Sequence, residues 1–92
     1  MNKKMKEYEL KNNFRHYLKE EQIRIKISTG RKVKVFEIFN DIEKETGMTF
    51  SNIKSIYHNK TNPSIFSALL LAKYFRVNVE DMFNIEFEKE ND

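Results

Sequence analysis

The sequence predicts a single, mainly α-helical domain of five helices, and three observations support this fold class. Apolar residues recur at helical spacing over most of the 92 residues. Turn and capping residues separate these stretches at short intervals, at Gly47, Asn59, Pro63 and Asn78. Residues 23–35 instead alternate apolar with basic side chains, which predicts a β-hairpin inserted between helices 1 and 2. We expect residues 1–92 to form one domain, with its core at 7–84 and an acidic tail at 86–92.

The composition excludes several classes of protein. Hydrophobic residues make up 39% of the chain, including eight Phe and four Tyr, so a core can be buried without disulfides, and there is no cysteine. No apolar run approaches the roughly 20 residues of a membrane span. The charged N-terminus lacks the apolar segment of a signal peptide. These features predict a cytoplasmic protein that does not contact a membrane.

Charge is distributed unevenly along the chain. The formal net charge is +3, yet residues 1–34 carry eleven Lys and Arg against four Asp and Glu, a local excess of +7. Residues 61–92 carry three basic against six acidic residues. A cationic N-terminal third opposite an acidic C-terminus favours a molecule with one end that attracts nucleic acid. A solvated lysine-rich surface is the alternative.

The first two helices are predicted from apolar spacing. A helix from about residue 7 to 21 follows from Leu10, Phe14, Tyr17 and Leu18, which recur at i, i+4, i+7 and i+8. A second helix ending at Gly47 follows from a similar stripe formed by Val35, Phe36, Ile38, Phe39 and Ile42.

The segment between these helices predicts a hairpin. A loop at residues 29–31, with Gly30 in a positive-φ conformation, places Ile27 opposite Val33 and Ile25 opposite Val35. The other face then pairs Lys26 with Lys34, an unfavourable contact that a phosphate backbone would relieve. The hairpin is therefore a candidate DNA-contacting arm. The alternatives are a structural hairpin that covers the core, a flexible basic loop, and a strand that pairs with a second copy.

Residues 46–64, TGMTFSNIKSIYHNKTNPS, predict a sharp turn, a short capped helix and a second helix start. Gly47 permits the turn, Thr49 can cap the helix, and Ile53 and Ile56 form its buried stripe. The outward residues are then Phe50, Ser51, Asn52, Lys54 and Ser55. Asn59 suits a left-handed helix end, and Pro63 suits the first turn of the next helix.

Two further helices complete the prediction. The fourth runs from Pro63 or Ser64 to about Phe75, with its inward residues at Ile65, Ala68, Leu69, Ala72 and Tyr74 or Phe75. Asn78 caps a short fifth helix from Val79 to Phe83, and Glu80 and Asp81 lie in its first turn. Ile85 and Phe87 alternate with polar residues, as in a short strand.

The pattern from the glycine turn onward, continued by NPSIFSALLLAKYFRVNVEDMF at residues 62–83, resembles the lambda-repressor-like (Cro/XRE-type) helix-turn-helix family. The resemblance covers residues 14–83. The chain differs between helices 1 and 2, where the family has a tight turn and a Gln at the start of helix 2. The resemblance implies that the third helix reads double-stranded DNA.

Site residues follow from the resemblance and from the basic segment. The resemblance implies base reading by Phe50, Ser51 and Ser55; serine hydroxyls bond to several base edges, and Phe can touch a thymine methyl group. For Phe50 the alternative is core packing, and for Lys54 it is an ordinary exposed lysine. The expected DNA-backbone contacts are Arg24, Lys26, Arg31, Lys32, Lys34, Thr49, Asn52, Lys54, Lys60, Thr61 and Asn62.

The predicted function is sequence-specific binding of double-stranded DNA by a transcriptional regulator of phage, plasmid or bacterial origin. A homodimer is expected, in some cases only on DNA, through apolar residues near the C-terminus: Val79, Met82, Phe83, Ile85 and Phe87. Met82 and Phe83 have core packing as an alternative. Rival functions are a protein-interaction module, acting as an antirepressor or adaptor, and an accessory DNA-binding factor in plasmid transfer or replication.

No enzyme is predicted. His16 and His58 are the two histidines, they lie far apart in sequence, and no glycine-rich phosphate loop or metal-spaced cluster accompanies them. No cofactor, metal or small-molecule ligand is therefore expected.

Overall fold

The computed structural model describes residues 8–87, and it is mainly helical, as predicted. None of the helices in this range is both long and apolar enough to cross a bilayer. Predictions for residues 1–7 and 88–92 lie outside the described residues. The elements in chain order are β1 Tyr8–Asn12, α1 Phe14–Thr29, α2 Val35–Thr46, α3 Phe50–Tyr57, α4 Ile65–Phe75, α5 Val79–Met82 and β2 Phe83–Phe87.

The predicted hairpin at residues 23–35 is wrong, because α1 continues without interruption to Thr29. Gly30 does have a positive φ, of 75°, but it ends the helix, and its N–H donates to Lys26 O at 2.8 Å. Residues 31–34 then form an extended connector to α2. The side-chain amide of Gln22 holds this connector on α1 by donating to Val33 O at 2.9 Å.

A helix forms here because the isoleucine alternation is also compatible with helical spacing. Ile25 continues the stripe of Phe14 and Leu18 toward the core, whereas Ile23 and Ile27 lie on the outer side. Each residue added to an existing helix gains a backbone hydrogen bond at little further cost. A two-stranded hairpin alone is marginal in water, so extending the helix is favoured.

The first predicted helix also begins later than expected, since residues Tyr8–Asn12 form a strand. This strand pairs antiparallel with β2, and Leu10 lies opposite Ile85. The strand suggested by Ile85 and Phe87 is therefore confirmed. Asn13, between β1 and α1, connects this part of the chain to the end of α5. Its backbone N–H donates to Met82 O at 2.8 Å and its side chain donates to Asp81 O at 2.9 Å.

The predicted turn and cap signals around α3 are confirmed. Gly47 has φ 82° and Asn59 has φ 63°, both left-handed, and they end α2 and α3 respectively. Pro63 does not lie inside α4, however. Ser64 is the N-cap of that helix, and its hydroxyl accepts from the Ser67 N–H at 3.0 Å, so Pro63 precedes the cap.

The core is centred on Phe14, which is fully buried. Its ring centroid lies 6.4 Å from that of Phe39, 5.5 Å from that of Tyr57 and 5.8 Å from that of Phe75. One side chain of α1 thus contacts α2, α3 and α4. The other fully buried large side chains are Leu18, Ile42, Ile53, Ile56, Leu71 and Met82.

Two predictions of side-chain burial are wrong. In α4, Ala68 and Ala72 are buried as predicted, but Ile65 and Leu69, also expected to face inward, are 79% and 49% exposed. Ser67 and Leu71 are buried in their place. The helix is apolar nearly all round, so its sequence does not define an inner face. For Met82 and Phe83, expected either at a dimer surface or in the core, the second alternative holds, because both are buried in the core. Of that surface Ile85 is exposed, and the side chain of Phe87 lies outside the described residues.

Tyr74 links α4 to α2, because its hydroxyl donates to an Asp41 carboxylate oxygen at 2.6 Å. Burial raises the pKa of Tyr74 well above its ordinary value near 10, and the hydrogen bond to Asp41 raises it further. The folded state therefore favours the neutral form of the Tyr74 phenol.

We predict that Tyr74 contributes stability below about pH 10 that is lost as the pH rises further. Above its ordinary pKa the tyrosine ionises in the unfolded chain while the folded form stays neutral, so alkali favours unfolding. The free energy of unfolding of wild type should exceed that of Tyr74→Phe at neutral pH, and the difference should shrink as the pH rises above about 10, the ordinary pKa of tyrosine. Urea denaturation at several pH values measures it. A difference that grows with pH would contradict the assignment.

Candidate nucleic-acid interface

Helix α3 is mounted with one face in the core and one face in solvent. The Thr49 hydroxyl accepts from the Asn52 N–H at 3.1 Å, which caps the helix start. Ile53 and Ile56 are fully buried. Because these two residues fix the inner side, Ser51, Asn52 and Lys54 are exposed on the outer side. The outer side presents hydroxyl, amide and ammonium groups, all of which can bond to nucleic acid.

The three predicted base-reading residues have different environments. Ser51 is exposed, whereas Phe50 and Ser55 are only partly so. The Phe50 ring meets the Phe39 ring edge-on at 5.5 Å between centroids, so part of it belongs to the core. The Ser55 carbonyl accepts from the Lys60 N–H at 2.8 Å, which tightens the turn after α3. Ser51 is thus the most accessible of the three.

The end of α3 is held by Asn12, a contact that the sequence did not suggest. The Asn12 side-chain amide donates to Ile56 O at 2.9 Å and to the Asn59 side-chain oxygen at 3.3 Å. Its own side-chain oxygen accepts from the Phe14 N–H at 2.9 Å. One asparagine therefore caps the start of α1 and orients the end of α3. The contact joins residues 44 positions apart, and no pattern among neighbouring residues predicts it.

Arg15 is a second feature that sequence reasoning missed. Its guanidinium lies 4.7 Å from the centre of the Tyr57 ring, and its Nη2 is 3.4 Å from His58 Nδ1. Arg15 and His58 are exposed, as are Lys60, Thr61 and Asn62 in the loop that follows. The described residues thus place two cations, Arg15 and Lys60, beside the C-terminal end of α3.

The cations predicted for a β-arm lie elsewhere. All five are exposed, but they belong to the second half of α1 and to the connector: Arg24, Lys26, Arg31, Lys32 and Lys34. Arg24 forms an ion pair with Glu21, and Arg31 forms one with Glu37 at 2.8 Å. Lys26 lies eleven residues after Arg15 in α1, which is a distance of about 16 Å along the helix axis. The contacts of α1 with α3 through Phe14 and Arg15 lie at its start, so Arg24 and Lys26 lie at least about 13 Å further along the helix.

The second half of α1 instead borders an apolar groove of about 270 Å³. Its floor contains Ile23, Ile27 and Val33, and its rim contains Lys19, Lys26 and Lys32. We name this the α1 groove. An open cleft of about 700 Å³ between α1, α2 and α4 has mixed charge, with Glu21, Asp41 and Glu45 opposite Arg24, Lys73 and Arg76. Among residues 8–87 no group of three or more acidic or histidine side chains could hold a metal ion.

Comparison of the chain with protein-family models, with curated proteins and with solved structures gave no match. The case for a function therefore depends on the geometry of α3 and its surroundings.

We predict that Asn12→Ala lowers the free energy of unfolding by about 1–3 kcal/mol, because the partly buried Phe14 N–H loses its acceptor and Ile56 O loses one of its donors, keeping that of Asn59. Urea denaturation measures the change. Asn12→Asp is the matched variant: it retains an acceptor for the Phe14 N–H but loses the donor to Ile56 O. Amide exchange near Ile56 should accelerate in both variants. Unchanged exchange there would show that Asn12 does not hold α3.

Proposed function

We propose that the protein binds double-stranded DNA through α3, as a lambda-repressor-like helix-turn-helix protein, and acts as a transcriptional regulator of phage, plasmid or bacterial origin. The observation that supports the proposal is the position of α3, which has a capped start, a buried inner side and an exposed polar outer side. The helix starts at a Thr49 cap two residues after a left-handed Gly47, and Ile53 and Ile56 bury its inner side. Its polar outer side is left free for the major groove, which admits an α-helix.

Each exposed group of α3 has a defined part in this proposal. Ser51, in the first turn of the helix, reaches base edges, since a hydroxyl serves several of them, and the adjacent Asn52 contacts the DNA backbone. Lys54 meets the phosphate backbone. Phe50 supports the helix through Phe39 and offers its exposed ring edge to a thymine methyl group. Ser55 stays at the margin of the contact because it is partly buried.

Phosphate contacts at the other end of α3 come from Arg15 and Lys60. Arg15 is held in place by the Tyr57 ring, so its guanidinium loses little freedom on binding. Lys60, Thr61 and Asn62 are exposed in the loop before α4 and supply one charge and two polar side chains. Lys54, in the last turn of α3, adds a third cation near this end of the helix, and such contacts set register without reading sequence.

A second candidate function is a protein-interaction module that acts as an antirepressor or adaptor. The observation that favours it is the α1 groove, in which Ile27 is 78% and Ile23 57% exposed. DNA phosphates would match its lysine rim but not its apolar floor. A protein-interaction module would bind duplex DNA weakly and without sequence preference.

We predict that affinity for duplex DNA falls steeply with salt, because Lys54, Lys60 and Arg15 release counterions from phosphates. Lys54→Ala should reduce the slope of log affinity against log salt by about 1. Lys73→Ala is the charge-matched control, since Lys73 borders the mixed-charge cleft, and its slope should equal that of wild type. Fluorescence anisotropy at several salt concentrations gives the slopes. A flat slope for wild type would rule out the proposed function.

We predict that Ser51→Ala weakens binding mainly to the preferred DNA site, by about 1–3 kcal/mol, because it removes a base-edge hydrogen bond. Selection of bound sequences from a random duplex pool first supplies that site. Competition between the site and random duplex then separates specific from general affinity. Lys60→Ala serves as the comparison and should weaken both duplexes alike. If Ser51→Ala also weakens both equally, the serine does not read sequence.

A further inference from the structure

The α1 groove is defined by its shape and its charge more than by its exposed area. Ile23 and Ile27 on α1 and the buried Val33 of the connector form its concave floor, in a volume of about 270 Å³. Exposed isoleucines on their own are ordinary on a protein surface. A concave apolar floor with charged residues at its rim is instead the usual form of a binding site. The groove is therefore suited to hold apolar side chains of a partner.

Hydrogen bonds hold the two sides of the α1 groove in place without a partner. The side-chain amide of Gln22 donates to Val33 O at 2.9 Å, which fixes the connector against α1. At the start of the connector, the Arg31 N–H donates to the Thr29 hydroxyl oxygen at 3.1 Å. A partner therefore meets a site that is already formed, and binding does not have to order a loop first.

The rim of the α1 groove carries charge of one sign. Lys19, Lys26 and Lys32 line it, and no acidic side chain does. Within residues 8–87 none of these three lysines is in an ion pair, whereas the nearby arginines of α1 and of the connector both are. Carboxylates of a partner would complement this rim, while a second copy of the same groove would repel it. The charge thus favours an acidic partner over a second copy.

The backbone around the α1 groove indicates the form of that partner. Ile23 and Ile27 lie four residues apart, about 6 Å along the axis of α1, which is close to one turn of a partner helix. An added strand would need free backbone groups on the wall of the groove. Those of Arg31, Val33 and Lys34 already bond to side chains of this protein. A helix bonds its own backbone and needs only side-chain contacts.

We infer that the α1 groove binds a short amphipathic helix of an acidic partner protein. Two apolar side chains of that helix, one turn apart, enter the groove, and its Asp or Glu carboxylates lie beside the three rim lysines. This inference names the partner for the second candidate function and does not require that α3 bind DNA. Ile27 lies twelve residues after Arg15, about 18 Å along the axis of α1, so the groove and α3 can be occupied at the same time.

A synthetic peptide of about 15 residues, long enough to form a helix, is the probe, with leucine at every third or fourth position and glutamate between them. Titration into isotope-labelled protein should shift the amide NMR signals of residues 19–33 and leave those of α4 in place. Peptides with lysine in place of glutamate, or serine in place of leucine, should bind at least about tenfold more weakly.

Three results of the titration would overturn the inference. The first is absence of binding by the glutamate peptide, or shifts spread over the whole protein. The second is equal binding of the lysine peptide, because the rim would then not select for acidic groups. The third is a shift of the signals of residues 19–33 when the protein is concentrated without peptide, because a second copy would then occupy the groove.

Single substitutions test the floor and the rim separately. Ile27→Gln should lower affinity for the glutamate peptide about tenfold. Ile65→Gln is the matched control, because Ile65 is 79% and Ile27 78% exposed, and it should bind as wild type. Lys26→Gln should lower affinity about threefold, and less at high salt, with Lys73→Gln in α4 as its control. Circular dichroism checks folding. Equal effects of Ile27→Gln and Ile65→Gln overturn the inference.

Duplex DNA of random sequence tests the alternative that the lysine rim binds phosphates. At about 0.15 M salt the duplex should change the affinity for the glutamate peptide by no more than about twofold. Displacement of the peptide, with the signals of residues 19–33 shifted by DNA, would show a DNA surface and overturn the inference. Peptide binding without any DNA binding would refute the proposed DNA function alone. DNA binding through α3 without peptide binding would overturn only this inference.

Discussion

The burial of Phe14 against Phe39, Tyr57 and Phe75 is the contact on which the rest of the structure depends. Helix α3 has eight residues, fewer than the roughly 12–15 that an isolated helix needs to be stable in water. It exists because Ile53 and Ile56 are buried and because Tyr57 packs on Phe14. The surface proposed to meet DNA is therefore a product of the core, and its orientation is as rigid as the aromatic packing beneath it.

The two ends of the described chain meet beside this core and fix α3 from its other side. The pairing of β1 with β2 brings Asn12 and Asn13 next to α3 and α5. Asn12 bonds to Ile56 O, so the first strand helps to hold the end of α3 in place. A two-stranded sheet is marginal alone, and here the buried Phe83 and the partly buried Leu10 attach it to the core.

Sequence reasoning succeeded where the physical signal is local. Gly47, Thr49 and Asn59 act within about one helical turn of themselves, so their roles can be read from nearby residues. It failed at residues 23–27, because alternating isoleucines satisfy both a strand and a helix; the stripe from Phe14 through Leu18 to Ile25 was the signal that favours the helix. It failed in α4 because a helix apolar on every side has no preferred inner face. Asn12 and Arg15 contact residues far away in the sequence, so no pattern among their sequence neighbours predicts these contacts.

The continuation of α1 changes how the positive charge of the N-terminal third acts. On a hairpin arm the cations would have lain together on one face, whereas Arg24 and Lys26 lie on α1 and the other three lie in the connector at residues 31–34. Glu21 and Glu37 then neutralise Arg24 and Arg31, and Lys26 and Lys32 stand beside exposed isoleucines. In the proposed complex with DNA, long-range attraction still follows from the summed charge, because steering depends on the overall field more than on individual contacts. In the same proposal, close phosphate contact comes from the described cations beside α3, which are Arg15, Lys54 and Lys60.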